Sequence, residues 1–240
     1  MLQRLKRSID KRRRAKEPKY YGLNDLDKKM EAYLDYDNGF FVELGANDGI
    51  NQSNTYRLER TRGWRGVLVE PAPHNYLKCL ALRGENNSVF CGACVDFEYS
   101  DRFVEMVYSN LMSVSLGMES ALDDPMEHIE RSKVHLPKSE TNFRFGAIAR
   151  TLDAILTEAG APERIDFLSL DVEGVEIPVL KGIRHQKYRF NYMLIEHKDF
   201  DQLSTYLGQH GYLFEAQLSH HDYLFKDATH VDENPLASGV

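Results

Sequence analysis

The sequence predicts an α/β fold in which a mostly parallel sheet is covered by helices on both faces. Short apolar runs bounded by turn residues alternate with segments of helical periodicity along most of the 240 residues. Such alternation is typical of parallel sheets, whose strands are joined by crossover helices. Two apolar runs that flank Ser219-His220-His221 add an antiparallel hairpin near the C-terminus.

Each element is predicted from its apolar pattern and from the glycine, proline or polar turn that ends it. Strands are expected at 40–44, 66–70, 88–95, 102–109, 165–171, 192–197, 212–218 and 222–227, with 102–109 at an edge. Helices are expected at 24–34, 53–62, 75–82, 151–160, 176–183 and 200–211.

One domain is expected over residues 19–240, preceded by a basic arm at 1–18. Residues 110–145 interrupt the alternation, because they are rich in Met, Ser, His and charge and contain Pro125 and Pro137. This segment is predicted to be an insertion or lid, partly helical around 125–134.

The basic arm stands out against an acidic chain. Residues 1–16 hold eight Lys or Arg and one acidic residue, whereas the whole chain has a formal charge of −7. Such an arm could contact an anionic membrane surface, nucleic acid or an acidic partner. A solvated terminal helix is the simpler interpretation, because chain ends are commonly poorly ordered.

The apolar runs are too short for a membrane span, and no apolar signal region follows the basic start. Three cysteines without a disulfide pattern favour a reducing compartment. A cytoplasmic protein is therefore predicted, with peripheral membrane contact through 1–16 left open. Cys91 and Cys94 form a CxxC inside an apolar run, which favours a buried strand over a redox or zinc site.

The first predicted strand ends in the turn ELGANDG (43–49). In such sheets ligands bind beyond the carboxyl ends of the strands. Gly45 would let the backbone approach a ligand, and Gly49 would let a helix pack closely. Glu43 and Asp48 disfavour a diphosphate and suit an ammonium group, such as that of S-adenosylmethionine. An ordinary strand-to-helix turn is the alternative.

Glu70, followed by Pro71, ends the second predicted strand. A carboxylate there can accept hydrogen bonds from both hydroxyls of a ribose. Enzymes that bind NAD share this feature, so Glu70 alone does not distinguish the cofactors. Together with Glu43 and Asp48 it favours S-adenosylmethionine.

An acidic cluster is predicted where the next two strands end. Asp171 and Glu173 follow the central strand, and Glu196-His197 end its neighbour. Methyl transfer to a hydroxyl needs an aligned acceptor and a base, and these four residues are the catalytic candidates. Alternatively, Asp171 and Glu196 could bind Mg²⁺. The simpler interpretations are that Glu173 is a solvated residue in the first turn of a helix, and that His197 is a core or loop residue whose hydrogen bonds are made within the protein.

Several segments together resemble the FkbM-like family of S-adenosylmethionine-dependent methyltransferases of class I. They are FVELGANDG, QSNT, GWRGVLVEP, TLDAIL, DFLSLDVEGVEIPVLKG and LIEH, and the resemblance covers about residues 24–227. It implies a Rossmann-like fold: a mostly parallel seven-stranded sheet with helices on both faces and an antiparallel C-terminal hairpin.

The resemblance also implies a cofactor site. The expected contacts are Glu43, Gly45, Ala46, Asn47, Asp48, Gly49, Ser53, Asn54, Glu70, Pro71 and Asp171. One departure is Ser169, which stands where relatives often carry a lysine, so no role of that lysine is transferred.

These observations predict an O-methyltransferase that acts on a hydroxyl of a sugar or glycan. An RNA or protein methyltransferase is the alternative that the basic arm suggests, although the acidic body argues against nucleic acid. A non-catalytic cofactor-binding or scaffold protein, recruited through its arm, is the third reading.

Overall fold

The computed structural model describes residues 20–133 and 140–230, so the basic arm predicted at 1–18 lies outside the described residues. The strands in this part of the chain are β1 (Phe40–Leu44), β2 (Arg65–Glu70), β3 (Ser88–Cys91), β4 (Ala93–Val95), β5 (Phe103–Tyr108), β6 (Val114–Leu116), β7 (Phe143–Thr151), β8 (Arg164–Leu170), β9 (Arg189–Glu196), β10 (Tyr212–Gln217) and β11 (Asp222–Asp227).

Seven of these strands form a mixed sheet in the order β10-β11-β9-β8-β1-β2-β3. The five strands from β9 to β3 pair in parallel, and β11 pairs antiparallel with both β9 and β10. Because β1, β2, β8 and β9 are parallel, their carboxyl ends meet at one edge of the sheet.

The α-helices within the described residues are α1 (Leu26–Lys29), α2 (Tyr56–Arg62), α3 (Pro73–Arg83), α4 (Pro125–Ser132), α5 (Leu152–Glu158), α6 (Glu176–Lys181) and α7 (Phe200–Gln209). The continuous helix predicted at 24–34 is wrong. Asn24 and Asp25 adopt left-handed backbone angles, and α1 lies between two short 3₁₀ turns, Leu23–Asp25 and Met30–Ala32.

Helices cover both faces of the sheet, as predicted. Side chains of α5, α6 and α7 pack on one face, where Val42 and Val67 of neighbouring strands are fully buried. The other face packs against α1, α2 and α3, and there Phe41 and Leu68 are buried. Consecutive strand residues thus alternate between two cores, as the pleat requires.

A second, four-stranded sheet in the order β4-β7-β5-β6 was not predicted. The strand expected at 88–95 breaks at Gly92, so that β3 stays in the main sheet and β4 pairs with β7. A Cβ atom at Gly92 would lie 2.9 Å from the Ile148 carbonyl oxygen. The chain therefore changes sheets where a side chain would not fit.

The second sheet corrects the prediction for residues 102–145. The strand β5 belongs to this sheet rather than to an edge of the main one, and β7 was missed entirely. The predicted lid contributes β6 and α4. A hydrogen bond from the Ala121 N–H to the Gly174 carbonyl (2.7 Å) joins it to the loop after β8, and an ion pair between Glu119 and Lys181 joins it to the end of α6.

Candidate active site

A cavity of about 450 Å³ opens at the carboxyl edge of the main sheet, beneath the second sheet. Residues that follow β1, β2, β8 and β9 line one side of it. Met106 of β5, Ser115 of β6 and His128 of α4 line the other. The volume is that of a site for a small molecule.

Glu70 is buried in the wall of this cavity at the end of β2. Its two carboxylate oxygens accept hydrogen bonds from the backbone N–H groups of Asn47 and Ala72, each at 2.8 Å. Burial raises the pKa of Glu70 to about 7 against the effect of these donors. Each oxygen keeps a further lone pair, which fits the predicted acceptance of ribose hydroxyls.

The turn after β1 is shaped by two glycines. Gly45 has φ +79°, and a Cβ atom there would lie 2.0 Å from the Asp171 carbonyl oxygen. Gly49 has φ +85°, and a Cβ atom there would meet Cys79 and Arg83 of α3 at 2.9 Å. Close helix packing at Gly49 was predicted, whereas Gly45 allows the approach of a neighbouring strand end. Gly45, Ala46 and Asn47 line the cavity.

Glu43 lines the cavity, but its carboxylate is already bound by protein groups. The oxygens accept from the hydroxyls of Ser53 and Thr55, the N–H of Asn54 and the guanidinium of Arg83, at up to 3.0 Å. The prediction that Glu43 holds an ammonium group is therefore not supported, because little of its acceptor capacity is left.

Asp48, Gly49 and Asn54 are not among the described residues that line the cavity, although Ser53 and Pro71 are. The Asp48 carboxylate accepts from the N–H groups of Ile50 and Asn51, at 2.9 and 2.8 Å. Its role is to close the turn, and a direct cofactor contact is not supported.

Ser169 has a local partner in place of the lysine that relatives carry. The side-chain amide of Asn54 donates to the Ser169 hydroxyl at 3.1 Å, and this contact links the segment after β1 to β8. Asn54 thus contacts the sheet rather than the cavity.

Three carboxyl groups, Asp171, Glu173 and Glu196, line the end of the cavity next to β8 and β9. Although Asp171 is accessible from the cavity, withdrawal from bulk water and the neighbouring charge of Glu196 raise its pKa well above the ordinary value. Burial and the charges of Glu173 and Asp222 raise the pKa of Glu196 to about 7. Asp171 and Glu196 are thus neighbouring carboxyl groups that do not readily ionise together.

The loop that carries Asp171 and Glu173 is held by the buried side chain of Glu176. One carboxylate oxygen accepts from the N–H groups of Val172 (3.3 Å) and Gly174 (2.9 Å). Glu173 sits at φ +56°, in the left-handed region that non-glycine residues seldom adopt. The loop is thus fixed in a costly conformation that turns Glu173 toward the cavity.

His197 is not among the described lining residues, which corrects its predicted contact with an acceptor. Its Nδ1 lies 2.9 Å from the second oxygen of Glu176, and its Nε2 lies 3.1 Å from Oε1 of Gln202. Burial lowers the pKa of His197, but the hydrogen bond and charge of Glu176 outweigh it, so the net pKa is raised. His197 therefore positions Glu176, and Glu176 in turn stabilises the loop after β8.

The imidazole that does line the cavity is His128, which was not predicted. Its Nε2 lies 3.2 Å from Oε2 of Glu173, without the alignment of a hydrogen bond, and has no other hydrogen-bond partner. The only signal for it was weak: a histidine in the helix predicted around 125–134 of the lid. Its distance along the chain from Glu173 concealed the contact.

Metal binding by Asp171 and Glu196 gains no support. Within residues 20–133 and 140–230, no three His, Cys, Asp or Glu side chains are grouped to hold a metal ion.

Cys94 of the CxxC lines the cavity, and burial raises the pKa of its thiol to about 12. Cys91, which is half-buried, ends β3, and the buried Cys94 lies in β4; both are free thiols.

Comparison with known proteins decides the family. The sequence profile described as Methyltransferase FkbM domain matches residues 43–214, which is most of the chain. The chain belongs to the FkbM methyltransferase family. The predicted family is confirmed.

Solved structures that match include an FkbM methyltransferase from Methylobacillus flagellatus KT, at 16% identity and a TM-score of 0.47. That alignment covers 80% of this chain but 44% of the other, so this chain spans less than half of that FkbM protein. No curated protein matches the sequence.

Two further structures match over most of both chains. A TehB-like S-adenosylmethionine-dependent methyltransferase from Corynebacterium glutamicum ATCC 13032 matches at 10% identity and a TM-score of 0.42, over 94% of this chain and 97% of the other. An RNA methyltransferase from Salinibacter ruber, in complex with S-adenosylhomocysteine, matches at 14% identity and a TM-score of 0.40, over 87% and 94%.

None of the helices in the described part of the chain is long and apolar enough to cross a membrane.

Proposed function

We propose that this FkbM protein is an O-methyltransferase that transfers a methyl group from S-adenosylmethionine to a hydroxyl of a sugar or glycan. One observation carries the proposal. The Glu70 carboxyl, which suits a ribose, lines the same cavity as the carboxyls that follow or end β8 and β9 and the imidazole of His128, which suit a hydroxyl that must lose its proton.

Glu70 would hold the ribose hydroxyls, beside the backbone of Gly45, Ala46 and Asn47. The bound cofactor supplies an electrophilic methyl group on a sulfonium sulfur, which keeps the electron pair of the broken C–S bond. Asp171, Glu173 and Glu196 add negative charge to the cavity, and that charge favours a cationic cofactor over one with a diphosphate.

The sugar-type acceptor is supported by the neutral polar side chains of the cavity. Asn51, Gln52, Asn110 and Ser113 line it together with the carboxyl groups. Amides and hydroxyls both donate and accept hydrogen bonds, as a ligand with many hydroxyls requires. An RNA acceptor is less favoured, because Lys198 is the single Lys or Arg among the described lining residues.

Calorimetry with S-adenosylhomocysteine and with NAD tests the cofactor. Binding of S-adenosylhomocysteine is expected, and binding of NAD alone would overturn the proposal. Tritiated S-adenosylmethionine should then label at least one of a panel of methyl glycosides. Repeating the assay after dialysis against EDTA, with and without Mg²⁺, tests the predicted metal.

Asp171→Asn separates the enzyme from a scaffold. The variant is expected to fold, to bind S-adenosylhomocysteine and to lose turnover, whereas Asp201→Asn, at an exposed position on α7, should behave as wild type. Contact of residues 1–16 with an anionic membrane and a cytoplasmic location stay predictions. Sedimentation of full-length and arm-deleted protein with phosphatidylserine vesicles tests the first of them.

A further inference from the structure

We propose that His128 is the general base that removes the proton of the acceptor hydroxyl, an inference that rests on the proposed O-methyl transfer. Its Nε2 is a buried polar atom without a hydrogen-bond partner, in a side chain that lines the cavity. Buried nitrogens are ordinarily hydrogen-bonded, so an unpaired one beside a cavity indicates a partner that arrives with the ligand.

The helix around His128 is built to hold this position. The Asp124 side chain caps α4 by accepting from the N–H groups of Met126 and Glu127. The adjacent Ile129 is buried against Val107, Val114 and Leu122. Because α4 is anchored on the second sheet and the preceding segment is tied to Gly174, the imidazole is fixed relative to the loop after β8.

Glu173 is the residue proposed to assist His128 as a base. Its carboxylate lies 3.2 Å from Nε2 but off the direction of a hydrogen bond, so the lone pair of Nε2 is not taken up by a donor. A proton gained by the imidazole would create an ion pair with Glu173 at this distance. The carboxylate therefore stabilises the imidazolium that proton transfer forms.

The other groups of the cavity are less suited to this step. Burial and neighbouring carboxyl groups oppose the ionised, proton-accepting forms of Asp171 and Glu196, and His197 is bound by Glu176 and Gln202. In the proposed step the acceptor oxygen forms its bond to the methyl carbon while its proton passes to Nε2 of His128. The imidazolium later returns this proton to solvent.

The test compares His128→Ala with Arg131→Ala, a change at an exposed position on the same helix. Turnover is measured with tritiated S-adenosylmethionine and the methyl glycoside that the wild type labels fastest. His128→Ala should lower kcat about 100- to 1,000-fold, as loss of a general base does. Added imidazole should restore part of it, and the calorimetric Kd for S-adenosylhomocysteine should stay within about twofold of wild type.

Glu173→Gln provides a second variant, with an expected loss in kcat of about tenfold, because it keeps the shape but removes the charge beside Nε2. Wild-type turnover in His128→Ala would overturn the assignment while leaving the proposed function intact. A wild-type protein that labels no glycoside, or that binds no S-adenosylhomocysteine, would overturn the proposed function and with it the base.

Discussion

Replacing Arg83 by methionine should destabilise the protein more than any surface change, because this guanidinium is fully buried between two acidic side chains. It donates to Glu59 at 2.8 Å and to Glu43 at 3.0 Å, and further to the Gly49 carbonyl and the hydroxyls of Ser53 and Thr55. The side chains of Glu43 and Glu59 are at most 8% exposed.

The expected loss in the free energy of unfolding follows from the groups that remain after Arg83→Met. Methionine preserves much of the apolar contact with the Phe41 ring, over which the guanidinium lies at 5.1 Å. Two carboxylates are then left buried without their cation. Breaking a buried ion pair in this way costs about 3–5 kcal/mol, a large share of the roughly 5–15 kcal/mol by which a domain is stable.

Urea unfolding followed by circular dichroism measures the loss. Arg62→Met is the matched control, since Arg62 pairs with Asp35 and Asp37, which are 60% and 69% exposed, and should cost about 0–1 kcal/mol. A cycle with Glu43→Gln should show coupling between the two sites. A loss below about 1 kcal/mol for Arg83→Met would refute the view that this network holds the turn.

Three further predictions concern the site. Gly45→Ala should cost at least about 2 kcal/mol in urea unfolding, since its Cβ would lie 2.0 Å from the Asp171 carbonyl; an unchanged midpoint would show that the strand ends separate freely. S-Adenosylhomocysteine affinity should fall about tenfold per pH unit below the Glu70 pKa of about 7, because only the ionised carboxylate accepts from both ribose hydroxyls. Calorimetry from pH 5.5 to 8 checks this, and an affinity that does not change with pH would contradict it. His197→Phe should lower kcat by loosening Glu176 while leaving a folded protein, and turnover equal to wild type would deny that role.

The main sheet could be predicted because its strands are short apolar runs that end near a glycine, a proline or a polar turn. Each of its seven strands overlaps a predicted strand segment. The second sheet could not, since β7 reads FRFGAIART, with charged and small residues among the apolar ones. Its strands are stabilised by pairing across long sequence separations, as Phe103 with Ile148, and not by a local pattern.

The candidate site was predicted at the level of strand ends, and less well at the level of side chains. Glu70, Asp171, Glu173 and Glu196 all line the cavity as expected. His128 was missed because the lid that carries it offers no periodicity that would bring it to the sheet. Side-chain direction depends on partners far along the chain, and such partners are not visible in a motif.

The buried residues Glu43 and Glu70 differ in whether a cation lies beside the carboxylate. Glu43 and Glu59 share Arg83, so their charges are compensated where they lie and serve the fold. For Glu70 and Asp171, no Lys or Arg within residues 20–133 and 140–230 forms an ion pair, and both carboxyls have raised pKa values.

A buried acid without a cation costs free energy that the fold itself does not recover. Such a cost persists where a ligand offsets it, and a ribose hydroxyl at Glu70 is a ligand that would do so. In the motif ELGANDG the two visible carboxylates, Glu43 and Asp48, are therefore the ones that build the turn. The carboxyl groups proposed to contact a ligand come from the ends of the strands on either side of β1.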